Sequence, residues 1–98
     1  MSFLKAITNI LASAAKPITP QEVREVIKKR FPEFYGTKSH IRNVEKGHYK
    51  DIDHALLAQI YSAVRSGKGF LCDNHSKPIK VSLGVNEANE RRGERELV

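Results

Sequence analysis

The chain has 98 residues, 40% of them hydrophobic, and carries a formal net charge of +6. One domain accounts for this length, the single cysteine excludes an internal disulfide, and no apolar stretch approaches the ~18 residues of a membrane span. Basic residues outnumber acidic ones by six to three in residues 1–34 and by eight to four in residues 35–84, whereas acidic residues lead by four to three in residues 85–98. This distribution favours an anionic partner such as nucleic acid, but a protein of high pI without such a partner fits it equally well.

Apolar residues near the amino terminus recur at the spacing of one helical face: Phe3, Ile7, Ile10, Leu11 and Ala14. Ser2 is the predicted N-cap of this helix, and Pro17 ends it, because the residue before a proline is disfavoured in the α conformation. The segment superficially resembles a signal peptide, since small residues follow an apolar run. The helical spacing favours a core helix instead, and together with the single cysteine it leads us to expect a cytoplasmic protein.

A second helix is predicted to start at Thr19. Thr19 caps the helix, Pro20 occupies the first helical position, where its missing amide hydrogen costs nothing, and Glu22 completes a capping box. The helix is expected to run from about residue 20 to about residue 31 and to bury its valine and isoleucine side chains. The basic residues 28–30 at its end either stabilise the helix dipole or contact phosphate.

Residues 33–50 are the least regular part of the chain. They are too apolar for a disordered linker, and a short helix is predicted over residues 39–45, with Ser39 as its cap and Gly47 as its stop. Within residues 38–50, six lysine, arginine and histidine residues stand against one glutamate, Glu45: Lys38, His40, Arg42, Lys46, His48 and Lys50. Basic residues among aromatic ones favour a loop that contacts a nucleic-acid backbone, and a solvated loop pinned by a few apolar residues is the alternative.

The third main helix is predicted over residues 51–67, the longest segment with clean helical periodicity. Its apolar face comprises Leu56, Leu57, Ile60, Tyr61 and Val64. Asp51 and Asp53 are expected to accept the free amide hydrogens of the first turn. Arg65 and Gly67 mark the carboxyl end, where a cation and a glycine are both favoured.

The opposite face of this helix presents His54, Ala58, Gln59, Ser62 and Arg65. In a helix-turn-helix such a face lies in the major groove of DNA. Gln59 would then read adenine, Ser62 would contact bases or phosphates, and Arg65 would reach the backbone. Because the surface is only weakly basic, an ordinary solvated face is the alternative.

A β-hairpin is predicted after the third helix. Residues 69–72 form its first strand, residues 73–77 supply turn residues, and residues 79–83 alternate apolar and polar side chains as a half-buried strand does. Lys77 and Lys80 are candidate contacts to phosphate or to the minor groove, with simple solvation as the alternative.

The composition changes after Gly84, where apolar periodicity stops and charged residues dominate. The predicted domain therefore spans residues 1–84. Residues 85–98 are expected to form a charged tail, or a linker to a further domain.

The sequence contains no recognisable catalytic or metal-binding constellation. Cys72 and His75 are separated by two residues, as zinc ligands often are, but no second pair accompanies them. A glycine-rich phosphate loop and a supported Ser/His/Asp arrangement are also missing from the sequence. We therefore expect no enzyme activity, no metal site and no cofactor.

The order of these elements predicts a mainly α fold with a small β-hairpin, a winged helix-turn-helix of three main helices plus a wing. Over residues 3–83 the chain resembles the HARE-type winged helix. The resemblance rests on Phe3 to Leu11 of the first helix, on Lys16-Pro17-Ile18-Thr19 with Glu22-Val23, on Ala58-Gln59-Ile60-Tyr61 and on Ile79-Lys80-Val81-Ser82-Leu83.

That family occurs at the N-termini of some restriction endonucleases, in chromatin-associated proteins and in the delta subunit of bacterial RNA polymerase. The resemblance implies a non-catalytic module that belongs to, or assists, DNA-modification, restriction or transcription machinery. We expect double-stranded DNA as the partner and no membrane, with a protein partner, or a catalytic domain beyond Val98, as the alternative. The predicted DNA contacts are Lys38, His40, Arg42, Lys46, Lys50, His54, Gln59, Ser62, Arg65, Lys77 and Lys80.

Overall fold

The computed structural model describes residues 1–66, 69–75 and 77–84. In these residues four α-helices precede an antiparallel hairpin, and a short 3₁₀-helix lies between the second and third of them. The elements are α1 (Phe3–Ser13), α2 (Pro20–Arg30), the 3₁₀-helix (Pro32–Phe34), α3 (Lys38–Glu45), α4 (Ile52–Ser66), β1 (Phe70–Asp73) and β2 (Lys80–Leu83). The expected mainly α fold with a small hairpin is confirmed, and α3 corresponds to the short helix expected over residues 39–45 in addition to the three main helices. The predicted tail, residues 85–98, lies outside the described residues.

The first two helices begin where the sequence predicts. The Ser2 hydroxyl accepts a hydrogen bond from the Lys5 amide at 3.1 Å. At α2 the capping box is reciprocal: the Glu22 amide donates to Thr19 Oγ1 at 3.1 Å, and the Thr19 amide donates to Glu22 Oε1 at 2.8 Å. This backbone hydrogen bond from Thr19 lowers the pKa of Glu22, because it stabilises the charged carboxylate.

The later helices agree with the prediction only in part. Thr37, and not Ser39, caps α3, since Thr37 Oγ1 accepts from the His40 amide at 3.2 Å. At α4 Asp51 caps as expected, with its Oδ1 accepting from the His54 amide at 2.9 Å. Asp53 does not cap, because its carboxylate points to side chains of the preceding elements.

The hydrophobic core surrounds α4, which packs against α2, α3 and β1. From α4 it takes Leu56, Ile60 and Val64, spaced four residues apart and at most 2% exposed. The other buried members come from α1, α2 and β2: Ile7, Ile10, Leu11, Val23, Ile27 and Val81. Among the described residues, no helix combines the length and the apolar character needed to cross a membrane.

Two residues assigned by periodicity to the core face of α4 are not in the core. Leu57 and Tyr61 are half-buried and open onto a surface groove. The prediction for them is wrong because the apolar residues of positions 56–64 cover a wider arc of α4 than its packing partners bury. Because Leu57 and Tyr61 lie at the surface, the groove that they line is partly apolar.

The hairpin is tied to the helices by one additional bridge. β1 pairs with β2 antiparallel, with Cys72 opposite Val81. Ile18, in the α1–α2 connection, exchanges both backbone hydrogen bonds with Val81, at 3.1 and 2.6 Å. This isolated bridge attaches the start of α2 to the hairpin, and thereby fixes the hairpin beside the helical core.

Candidate functional site

Three cations form a ridge along α3 and its C-cap. Lys38, Arg42 and Lys46 follow one another at intervals of four residues, so their side chains leave the same side of the helix, and all three are exposed. The adjoining positions Ser39 and Asn43 line a cleft of about 270 Å³ between α3 and α4. The basic ridge therefore borders this cleft.

The cations of the ridge have no carboxylate partner within the described part of the chain. The ion pairs found there all belong to cations of α2: Arg24 with Glu25 at 2.9 Å, Lys28 with Glu25 at 3.7 Å and Lys28 with Asp53 at 3.0 Å. Intramolecular pairing thus neutralises part of the charge of α2, whereas the charge of the ridge is available to a ligand.

The basic end of α2, for which the sequence left a phosphate contact open, is mostly committed to internal partners. Lys28 pairs with Asp53, and Arg30 donates through Nη2 to Asn9 Oδ1 at 3.1 Å. Lys29 is exposed. These contacts favour a structural role for the end of α2 over a ligand contact.

His40 connects α3 to α4 instead of facing solvent. Its side chain is 3% exposed, and its Nε2 lies 2.6 Å from Gln59 Oε1 on α4. Its Nδ1 accepts from the amides of Gly36 and Thr37, at 3.1 and 3.3 Å. A direct DNA contact from the His40 side chain, as predicted from the sequence, does not agree with this burial.

The outer face of α4 lies between two cavities. On one side lies the cleft beside α3, to which Ala58, Gln59 and Ser62 contribute. On the other side α4, Asn74 and residues 77–79 line an open groove of about 950 Å³. The groove is lined by His54, Leu57, Ala58, Tyr61, Ser62, Arg65, Ser66, Asn74, Lys77, Pro78 and Ile79. Ala58 and Ser62 line both cavities, so small side chains form the strip between them.

The structure brings four of the predicted contacts together in this groove: His54, Ser62, Arg65 and Lys77. Arg65 stacks over the Tyr61 ring, with the guanidinium carbon 5.2 Å from the ring centroid. This stacking contact does not use the hydrogen-bond donors of the guanidinium, which are available to a ligand.

The other predicted contacts lie apart from the groove. Gln59 is exposed in the cleft, and the ridge cations flank that cleft. Lys50 and Lys80 are exposed but line neither cavity. Lys80 lies in β2 opposite Asp73, at the end of the hairpin register nearest the turn.

A cluster of three side chains fixes the start of α4. Asp53 accepts a hydrogen bond from the Tyr35 hydroxyl and another from Lys28 Nζ at 3.0 Å. The hydrogen bond from Tyr35, followed by that from Lys28, lowers the pKa of Asp53. The same hydrogen bonds to Asp53 raise the pKa of Tyr35 and the pKa of Lys28. The cluster thus joins three parts of the fold: α2 through Lys28, the segment that precedes α3 through Tyr35, and α4 through Asp53. These contacts hold α4 in place relative to α2 and α3.

Replacing Asp53 with asparagine is expected to make the protein less sensitive to acid. Because its folded-state pKa is lowered, Asp53 contributes stability above its unfolded pKa and loses it as the pH falls through the folded value. The side chain is 37% exposed, so we expect the effect to be about 1 kcal/mol or less. Urea unfolding at pH 7 and pH 2.5 would measure it. Glu33→Gln, at an exposed position, is the control; an equal acid-dependent loss in wild type and Asp53→Asn would contradict the role of the cluster.

Several residues of the surface were not predicted from the sequence. Tyr61, Pro78 and Ile79 line the groove, although the sequence assigned Tyr61 to the core, Pro78 to the entry of the second strand and Ile79 to that strand. The link between His40 and Gln59 spans 19 positions and has no local signal. Pro78 suits the entry of an edge strand and was in that sense a signal of exposure, but no local pattern indicated that α4 would lie beside it.

Comparisons with family models, with curated proteins and with solved structures gave no match to this chain.

Proposed function

We propose that this protein is a non-catalytic module that binds double-stranded DNA, with α4 against the bases and the α3 ridge and the hairpin turn against phosphates. The observation that carries the proposal is the ridge of Lys38, Arg42 and Lys46, whose charges lack carboxylate partners in the described residues. Phosphate contacts of this kind supply most of the affinity of a DNA-binding protein. The ridge borders the outer face of α4, where base contacts would be made.

The arrangement of the cations supports a duplex as the ligand. Lys38 and its neighbours lie on one side of the α4 face, and Lys77 lies on the other, across the groove. Arg65 stands between them near the end of α4. A helix flanked by cations on both sides is suited to a major groove bordered by two phosphate backbones.

We further propose a winged helix-turn-helix of the HARE type, acting in the cytoplasm with DNA-modification, restriction or transcription machinery. The element order supports this proposal: α1, the bridging residue Ile18, α2, α3, α4 and the hairpin. The bridge at Ile18 gives the hairpin a third strand segment, and the hairpin follows α4 directly. The single cysteine and the resemblance in residues 3–83 are further support.

A second candidate function is the docking of a protein segment in the groove beside α4. It is favoured by the apolar side chains that line this groove: Leu57, Tyr61, Pro78 and Ile79. Apolar area of this kind contributes more to a protein interface than to a phosphate contact. A pull-down whose protein partner survives nuclease treatment would favour this candidate, and loss of all partners after nuclease treatment would argue against it.

An NMR titration with short duplex DNA tests the proposed function. We expect the largest amide shifts in three regions: residues 38–46, residues 54–65 and residues 74–80. The exposed residues of α1 serve as the internal control, because α1 contributes to none of these three regions. Shifts confined to α1 and α2, or none at millimolar DNA and low salt, would contradict the proposal.

A further inference from the structure

The hydrogen bonds of His40 define which of its ring nitrogens carries the proton. Nδ1 faces two backbone N–H donors, from Gly36 and Thr37, and a nitrogen in that position must offer a lone pair. Gly36 has a φ of +73°, a left-handed conformation that lets both amides turn to the ring. The proton of the neutral ring is therefore on Nε2.

The proton on Nε2 in turn defines the orientation of the Gln59 amide. Nε2 is a donor, so the atom 2.6 Å from it must be an acceptor, which is the carbonyl oxygen Oε1. That oxygen is held against a side chain that is 3% exposed. The amide nitrogen is the other polar atom of the same planar group, and Gln59 as a whole is exposed and lines the cleft.

This orientation limits what Gln59 offers to a ligand. Reading adenine requires the oxygen and the nitrogen of the amide together, because adenine presents a donor at N6 and an acceptor at N7. In this structure the oxygen is directed to His40, and the nitrogen supplies donors only. Guanine presents two adjacent acceptors, N7 and O6, on the same edge.

We propose that His40 is a positioning residue that makes Gln59 a donor-only reader of base edges, with guanine preferred over adenine. The inference rests on the proposed function, since it requires α4 to face the bases. It reverses the adenine preference expected from the glutamine alone. His40 itself touches no ligand and acts through Gln59.

The test is selection of bound sequences from randomised duplex DNA by wild type and by variants of Gln59. We expect wild type to enrich guanine at one position by roughly fivefold or more over adenine. Gln59→Ala should flatten that position, and Gln59→Glu, which keeps the acceptor for His40 and removes both donors, should shift it towards cytosine. Gln21→Ala, at the other glutamine of the chain, should leave the preference unchanged.

Each other outcome counts against a defined part of the proposal. Adenine enrichment in wild type that is lost in Gln59→Ala would overturn the donor-only assignment. DNA binding with no position sensitive to Gln59 would overturn the inference and leave the proposed function intact. Failure of wild type to bind any duplex would overturn the proposed function, and the inference with it.

A measurement on the free protein tests the role of His40 separately. The ¹⁵N shifts of the His40 ring should show a protonated Nε2 and an unprotonated Nδ1 at neutral pH, and the reverse tautomer would overturn the proposal. His40→Leu should release the Gln59 oxygen and move the selected base from guanine towards adenine. If that variant does not fold, the tautomer and the Gln59→Glu selection still decide the question.

Discussion

Replacing Lys38, Arg42 and Lys46 together with alanine is expected to weaken binding of double-stranded DNA roughly 100-fold at about 0.1 M salt, since each charged contact contributes on the order of 1 kcal/mol. The loss should be nearly the same for every DNA sequence, because phosphate contacts carry no base information. The slope of log K against log salt should become shallower by about 3. Fluorescence anisotropy with labelled duplexes at several salt concentrations would measure both quantities.

A second triple variant separates the position of these charges from their number. Lys5, Lys16 and Lys29 are also exposed but lie on α1, after α1 and on α2. Replacing these three with alanine removes the same net charge and should weaken binding by less than about fivefold through the long-range field alone. Equal losses in the two triple variants would contradict a contact from the α3 ridge and would indicate a non-specific charge effect.

Leu56→Ala is expected to destabilise the fold by about 2–5 kcal/mol, a large part of the 5–15 kcal/mol typical of a domain. Leu56 has no exposed area and lies in the middle of the buried stripe of α4. Truncation removes apolar contacts and leaves a cavity between α4 and its neighbouring helices. Urea unfolding followed by circular dichroism would give the change in the free energy of unfolding.

The neighbouring residue provides a matched control. Leu57→Ala removes the same atoms from a half-buried side chain that lines the groove. We expect it to cost less than about 1.5 kcal/mol, because the lost contacts are partly with solvent. A cost equal to that of Leu56→Ala would place Leu57 in the core, as its periodicity alone predicts, and would contradict the structure.

The parts of the fold predictable from sequence are those with local signals. Ser2 and Thr19 cap their helices through side-chain bonds to amides three positions later, and such bonds depend on residues adjacent in the chain. The alternation of apolar residues before Gly84 likewise predicted the second strand of the hairpin. The mainly α character of the fold follows from signals of this kind.

The starts of α3 and α4 show where local signals compete. Thr37 and Ser39 are both capable caps two positions apart, and in the helix that starts after Thr37 the His40 ring accepts from the amides of Gly36 and Thr37. Aspartate is a residue type that often caps helices, but the Asp53 carboxylate accepts hydrogen bonds from the Tyr35 hydroxyl and from Lys28 instead. These two donors lie 18 and 25 positions earlier in the chain. Distant partners therefore outweighed the local preference.

The candidate site was predictable as a set of charges but not as a surface. The sequence identified the cations of residues 38–50 and the outward side chains of α4. It did not distinguish the exposed ridge from the buried His40, because both belong to the same basic run. Nor did it indicate that the turn of the hairpin would enclose a groove with Leu57 and Tyr61. Those relations arise from packing between elements far apart in the chain.

The most direct test of the central claim is a titration of the wild-type chain with double-stranded DNA over a range of salt concentrations. If about five phosphates are neutralised by the ridge, the groove and the hairpin turn, log K should fall against log salt with a slope of about −4 to −5. Binding that does not change with salt, or no binding at about 20 mM salt, where an attraction to phosphate is strongest, would contradict the account.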